Sequence, residues 1–286
     1  MTTRPFRFAA SGRNRTESLS DLKAYARKVE DLGYDVLLLS DHFHEGLAAF
    51  QALAVAAQVT TRLRLGTLTA ANDLRHPAML AKDAATLDLL SEGRLELGLG
   101  TGSMDADNRM AGLPIDPPGV RVDRLAEALN ILKAYFAEPT VTLPGTHYQL
   151  TNLAAYPRGV QQPHPPILVG ARGPRMLRLA ARQANIISVM GGGPGDATLA
   201  EKRDIIRQAA GERYGDIELN LLATRVQVDG QPEQPSNFPA AGYAGSRDHV
   251  VEQLQRQREA ADISYIAVGA LAMEAFAPVV AKLSGR

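Results

Sequence analysis

The sequence predicts an α/β protein built as a (β/α)8 TIM barrel, and three observations carry that prediction. Short apolar β-type runs alternate with helix-length amphipathic segments almost from end to end, giving eight strand-helix units. The runs are apolar at nearly every position, as strands of a parallel sheet buried on both faces must be. Eight units within 286 residues suit a closed barrel better than an open doubly wound sheet.

The first run is FRFAA, Phe6 to Ala10. In the segment after it, SLSDLKAYARKVEDLG, Leu19, Leu22, Tyr25, Ala26 and Val29 recur at helical spacing and Gly33 supplies the stop. DVLLLS and a helix over Leu47 to Val59 follow, then LRLGTLT and a helix opening at Pro77, a residue favoured at a first helical position. RLELGLG, Arg94 to Gly100, is the fourth strand, and after a long loop comes a helix over Val120 to Phe136. PILVGA (Pro166 to Ala171), NIISVM (Asn185 to Met190), LNLLATRVQV (Leu219 to Val228) and SYIAVGA (Ser264 to Ala270) repeat the plan, the last helix running from Met273 to Leu283. Residues 138–165, rich in proline, glycine and aromatics, break the alternation. They read as an insertion between the fourth helix and the fifth strand, long enough to cover the barrel mouth. With no linker and no internal repeat, residues 1–286 are expected to form a single domain.

Thirty-one basic and 31 acidic side chains leave no net charge. That argues against nucleic acid or an anionic membrane as the partner, since both need concentrated positive charge. Small molecules or further copies of the chain are expected instead. The absence of cysteine excludes disulfides, thiolate nucleophiles and cysteine metal sites. The N-terminal residues lack a signal-peptide core, and no run approaches the ~20 apolar residues of a membrane span, so a cytoplasmic location is expected.

Barrels of this kind carry their active sites on the loops that follow the strands. The candidates are Ser11 and Arg13, then Asp41, His42 and His44, then the stretch Thr67, Leu68, Thr69 to Asn72, then Gly100, Thr101, Gly102 and Ser103. Further along come Gly170, Ala171, Arg172, Gly173 to Arg175, and Gly191, Gly192 and Gly193. In LLLSDHFHEG, an apolar run ends abruptly in ionisable groups. An imidazole at His42 can give or take a proton near neutral pH, and a neighbouring carboxylate such as Asp41 can hold its tautomer. Equally, Asp41 can cap the next helix while His42 packs at a strand end, and position and chemistry alone weigh the two readings evenly. His44 and Glu45 read as solvated loop residues. A metal site is not expected, because the histidines at 76, 147, 164 and 249 do not fall at the later strand ends where partner ligands would be needed.

VGARGPRMLRLAARQA places a glycine-containing turn at a helix N-terminus with Arg172, Arg175 and Arg178 close by, a pattern that can hold a phosphate or can be an ordinary turn with solvated arginines. GGGPGD, Gly191 to Asp196, supplies a second glycine turn, and the two together shift the reading toward a phosphorylated cofactor. GLGTG, Gly98 to Gly102, has no side chain to block a planar ligand.

GYDVLLLSDH, LRLGTLTAANDLRHPAMLAKDAATLDLLSEGRLELGLGTG, PPGVRVDRLAEALNILK and PPILVGARGPRMLRLAARQANIIS together resemble the bacterial luciferase-like superfamily, in particular its F-420-dependent oxidoreductases. The resemblance covers nearly the whole chain, and its most specific block is HPAMLAKDAATLDLLSEGRLELGLG. It implies a (β/α)8 barrel with an insertion, often a homodimer, binding coenzyme F-420 or FMN without a covalent link. It further implies an Asp-His pair at Asp41 and His42 beside the reactive ring, and a non-proline cis peptide near Thr67 to Thr69. It places the cofactor phosphate on the turns at Gly170 to Gly173 and Gly191 to Gly193. The expected activity is hydride transfer between a deazaflavin and a small organic substrate. The alternative is an FMN-dependent monooxygenase fed by a partner reductase, and a third reading is a non-catalytic flavin-binding relative. Sugar-phosphate dehydrogenases of the superfamily carry a glutamate after the GTG turn, where this chain has Ser103 and Met104, and the chain has no tryptophan. The resemblance therefore leaves the substrate open.

Overall fold

The computed structural model describes residues 4–12, 18–44, 46–102, 105–190, 196–230 and 242–286. The first half of the chain runs β1 (Arg7–Gly12), α1 (Leu19–Asp31), β2 (Val36–Leu39), α2 (Ala49–Ala57), β3 (Arg64–Thr67), β4 (Ala70–Ala71), α3 (Pro77–Leu90), β5 (Leu95–Gly100), α4 (Asp105–Met110) and α5 (Pro118–Ala137). It continues through β6 (Thr140–Pro144), β7 (Gln149–Ala154), β8 (Ile167–Ala171), α6 (Pro174–Gln183), β9 (Ile186–Val189) and α7 (Leu199–Ala210). The last part holds β10 (Glu218–Ala223), β11 (Arg225–Val228), β12 (Gly242–Gly245), α8 (Arg247–Ala261), β13 (Ile263–Gly269) and α9 (Met273–Leu283).

Eight of these strands close on themselves in the order β1, β2, β3, β5, β8, β9, β10, β13 and back to β1, with every pairing parallel. This is the barrel that the apolar runs predict. Alternation along each strand divides the core in two. Ala9, Val36, Leu38, Leu168, Ile186, Tyr265 and Ala267 fill the barrel interior. Phe8, Leu37, Leu39, Ile187 and Ile266 point outward and are sealed by the helices.

At the N-terminal ends of the strands the interior is closed by charge. Arg7 pairs with Glu218 at 2.7 Å and with Glu96, Arg64 Nε donates to Glu96 at 2.7 Å, and the Tyr265 hydroxyl donates to Glu96 at 3.2 Å. Burial pushes the Glu218 carboxyl above its ordinary range against the pull of Arg7. That end is a packed floor; the opposite end is where the connections that follow each strand gather.

Three expectations are corrected. The insertion does not roof the mouth. It leaves α5 at the closed end, as every helix-to-strand connection must, and forms the antiparallel hairpin β6–β7 along α5. Gln161 then fastens it beneath the barrel by donating to Asp88 at 2.7 Å and to the Leu95 carbonyl at 2.9 Å. Only the hairpin tip rises to the rim, where Tyr148 accepts from Asn72 at 3.1 Å. LNLLATRVQV is two strands, because the chain leaves the barrel after Ala223 and β11 pairs with β12 outside it. The loop after β5 also contains a short helix, α4, which the sequence pattern did not announce. Among the described residues no helix is long and apolar enough to cross a membrane.

Candidate active site at the carboxyl ends of the strands

β2 delivers Asp41 and His42 to the open end, but they turn apart. Successive side chains of an extended segment face opposite ways, so adjacent residues cannot share one contact. Asp41 is buried and accepts a bidentate grip from Arg75, at 2.9 Å from Nε and 2.7 Å from Nη2, while the Ala71 amide approaches at 3.4 Å. These hydrogen bonds hold the Arg75 guanidinium above its ordinary pKa. The expected Asp41–His42 pair is thus replaced by an Asp41–Arg75 clamp between the β2 and β4–α3 connections.

The carboxylate on His42 is Asp107 of α4. His42 Nδ1 lies 2.6 Å from Asp107 Oδ2, and Asp107 Oδ1 accepts from the Phe43 amide at 3.3 Å. Oδ1 also lies 3.6 Å from Nδ1 of His44. Asp107 is buried and the His42 side chain is 17% exposed. His44, expected as a solvated loop residue, is partly exposed but shares this carboxylate. Nothing in the spacing of residues 42 and 107 announces the pairing; the one available signal is an acidic pair, Asp105 and Asp107, soon after a GTG turn.

The third strand ends in a tie and a turn. The buried Thr67 hydroxyl donates to the Gly98 carbonyl at 2.6 Å and accepts from the Gly98 amide at 3.2 Å, so it stitches β3 to β5. The Leu68–Thr69 peptide is cis, within the stretch that the resemblance singles out. Thr69 stands over two glycines. A Cβ on Gly100 would lie 2.7 Å from Thr69 Oγ1, and a Cβ on Gly170 would lie 3.4 Å from both Thr69 Cγ2 and Met190 Sδ. Thr101 is half-buried, and Gly102, at φ +91°, adopts a conformation that disfavours any side chain. The turn is held by Arg121, which donates to the Gly102 carbonyl and whose Nε lies 2.7 Å from Asp73 Oδ2, off the direction of a hydrogen bond. Arg124 pairs with Asp73 and, at 2.8 Å, with Asp116.

At β8 the chain passes from Gly170 and the buried Ala171 through Arg172 to Gly173, the N-cap of α6. Gly173 offers no capping side chain and a Cβ there would meet nothing within 4 Å, so among the described residues the amides after Pro174 at the start of α6 have no side-chain cap. The arginines are already engaged: Arg172 Nε donates to Asp196 at 3.1 Å and Arg175 Nη2 to Asp123 at 2.5 Å, while Arg178 is exposed. Gly191, Gly192 and Gly193, with Arg13, Ser103 and Met104, lie outside the described residues. Met190, the residue before Gly191, accepts at its carbonyl from Lys202 at 2.6 Å, and burial lowers the pKa of this amine.

These residues fit a planar cofactor with an anionic tail. Glycines at 100, 170 and 269 keep the upper barrel free of side chains, and an added Cβ at Gly269 would meet nothing within 4 Å. Beside Gly170 in register are Ser188 and then Asn220, whose Oγ and Oδ1 are buried without a hydrogen-bond partner among the described residues. The uncapped start of α6 is a natural seat for phosphate. Among the described residues no group of three or more His, Asp or Glu side chains is arranged to hold a metal ion.

A closed parallel barrel with a carboxylate-bound histidine and a glycine-floored mouth defines a (β/α)8 protein, a fold whose ligands are taken at the carboxyl ends of the strands. More narrowly, the chain belongs to the luciferase-like monooxygenase family, whose profile matches residues 2–267. It is 36% identical over 170 residues to an F-420-dependent glucose-6-phosphate dehydrogenase of Beutenbergia cavernae, covering 57% of this chain and 50% of that one. It is 32% identical over 257 residues to the enzyme of the same name from Nakamurella multipartita, covering 84% of this chain and 74% of that one. The chain thus spans about half the length of the first of these curated relatives. Among solved structures, the coenzyme F-420-dependent tetrahydromethanopterin reductase of Methanopyrus kandleri superposes with a TM-score of 0.83 over 98% of both chains at 20% identity.

Proposed function

We propose that this protein is an F-420-dependent oxidoreductase that moves a hydride between a deazaflavin and a small organic substrate. The observation that carries the reading is the mouth itself, where His42, fixed by a buried carboxylate, shares the strand ends with a glycine floor suited to a flat ring. The names of the curated relatives support the choice of F-420 over FMN. When bound, a deazaflavin supplies a two-electron hydride acceptor or donor.

The chain's residues do the rest. Gly100, Gly170 and Thr69 would border the ring, and the open amides of α6 would take the phosphate. For an alcohol substrate, the carbon gives up a hydride while the hydroxyl proton passes to His42 Nε2, leaving a carbonyl; the reverse reaction draws the same proton back. Ser103, in place of a glutamate, argues against sugar phosphate as the substrate.

The test is His42→Ala assayed with F-420 on the best substrate from a panel of alcohols, ketones and enones. General acid–base catalysis is worth about 10²- to 10⁴-fold, so kcat should fall at least ~10²-fold; unchanged turnover refutes the role. We also propose a homodimer. Met79, Leu89 and Leu90 are exposed on α3, while Leu80, Ala81, Ala84, Ala85 and Leu87 of the same helix are buried. Light scattering showing a monomer at micromolar concentration would contradict it.

A further inference from the structure

We propose that Asp107 is a positioning residue that sets which ring nitrogen of His42 carries the proton. The inference rests on the reading of His42 as the proton-handling group. A carboxylate only accepts hydrogen bonds, so the proton in the 2.6 Å contact belongs to His42 Nδ1, and Nε2 is left unprotonated and ready to receive one. Asp107 is suited to this by burial and by its second oxygen. Buried carboxylates are held in place when their lone pairs are engaged, and Oδ1 is fixed by the Phe43 amide at 3.3 Å. The carboxylate therefore grips the 42–44 turn at two points and cannot swing away from the ring without breaking both.

The carrier of Asp107 is itself anchored. Asn108 Nδ2 donates to the Pro114 carbonyl at 3.0 Å, and the Leu113 amide donates to the Asn108 carbonyl at 2.8 Å. Arg121, which holds the Gly102 turn, also reaches Asp105 at 3.3 Å. A histidine just beyond the second barrel strand thus receives its tautomer from a helix that follows the fourth, and proton handling depends on α4 being docked.

Asp107→Asn makes this testable without changing shape. The Phe43 amide still needs an acceptor, so the asparagine carbonyl takes the place of Oδ1 and its NH2 group faces His42 Nδ1. Nδ1 must then accept, and the proton moves to Nε2. An Asp→Asn exchange that imposes the wrong tautomer costs about 10⁴-fold in kcat in serine-protease triads, and loss of the carboxylate behind a metal-binding histidine costs about 10- to 100-fold. The expected loss here is about 10²-fold or more in kcat for the oxidation direction, with KM little changed.

Nitrogen-15 NMR of the His42 ring, recorded on the cofactor-free protein at a pH where it is neutral, reads the tautomer directly. The wild type should show the proton on Nδ1, Asp107→Asn should move it to Nε2, and Asp107→Glu should restore Nδ1 and part of the rate. An Nε2-protonated or evenly mixed wild type overturns the proposal. So does an unchanged ring in Asp107→Asn, or a changed ring with undiminished kcat. F-420 binding is measured alongside: its absence in the wild type would remove the hydride-transfer reading, and the NMR spectra would still decide the role of Asp107.

Discussion

Replacing Asp41 by asparagine separates two readings of the pair that ends β2. If Asp41 serves the histidine beside it, the loss should appear in kcat with stability unchanged. The structure instead closes both Asp41 oxygens on Arg75, at 2.7 and 2.9 Å. Breaking a buried ion pair by removing one charge costs about 3–5 kcal/mol, because the partner charge remains desolvated. Arg75 is 25% exposed and Asp41 8%, and the guanidinium keeps a stacking contact over the Phe50 ring at 5.4 Å, so water and packing recover part of that cost. An expected loss of about 2–3 kcal/mol follows. For a chain of this size that is roughly 2 °C per kcal/mol, or about 4–6 °C in Tm. Thermal unfolding followed by circular dichroism, with kcat measured on the same preparations, reads both quantities. A Tm within a degree of wild type together with a kcat lowered by about 10²-fold would refute the clamp and return Asp41 to the reaction.

Three further outcomes follow from the geometry. Gly98→Ala should cost about 3 kcal/mol or more, because the new Cβ would fall 1.8 Å from the Thr67 carbonyl oxygen. Gly215→Ala, facing open space, should stay within ~0.5 kcal/mol, and equal urea midpoints for the two would contradict the packing argument. The Glu30 carboxylate accepts from the amides of Thr61, Arg62 and Leu63 at 2.8–2.9 Å; burial pushes its pKa up, but these amides outweigh burial and hold it below its ordinary value. Its contribution is therefore complete above the unfolded pKa of about 4.3 and is lost as pH falls through the lower folded value. Wild type and Glu30→Gln should differ in stability at pH 7 and converge as pH falls through the lowered folded value; a gap that does not change with pH would sink this account. Gly170→Val should weaken F-420 binding at least ~10-fold by filling the floor, since the three carbons it adds overpack the site, and overpacking costs about 1–3 kcal/mol. Calorimetry showing wild-type affinity would place the ring elsewhere.

The barrel was legible because the physics that makes it is local. Leu37–Leu39 is apolar throughout, and Leu95–Leu99 and Ile186–Val189 are apolar but for Glu96 and Ser188, because both faces are covered, and that pattern needs no knowledge of partners. The strand-end positions of Asp41, His42, Gly100 and Gly170 follow from the same pattern, and the cis bond at Leu68–Thr69 falls in the stretch the resemblance names. What stayed hidden depends on placement in space. Asp41 looks like the partner of His42 because it is adjacent, yet an extended backbone turns neighbours apart and the true partner is 65 positions away. The insertion was placed over the mouth by its length and composition, although a segment between a helix and a strand must begin and end at the opposite face. The break at Thr224, which turns one long apolar run into β10 and β11, carries no proline or glycine to mark it.

The central claim is that the mouth is built for a deazaflavin. Titrating the purified protein with F-420 and, separately, with FMN tests it most directly, using quenching of cofactor fluorescence to follow binding. The account predicts saturable F-420 binding at micromolar concentration or tighter, with FMN binding at least ~10-fold weaker, a difference of about 1.4 kcal/mol. Tight FMN binding with no measurable affinity for F-420 would contradict it and point to flavin monooxygenase chemistry.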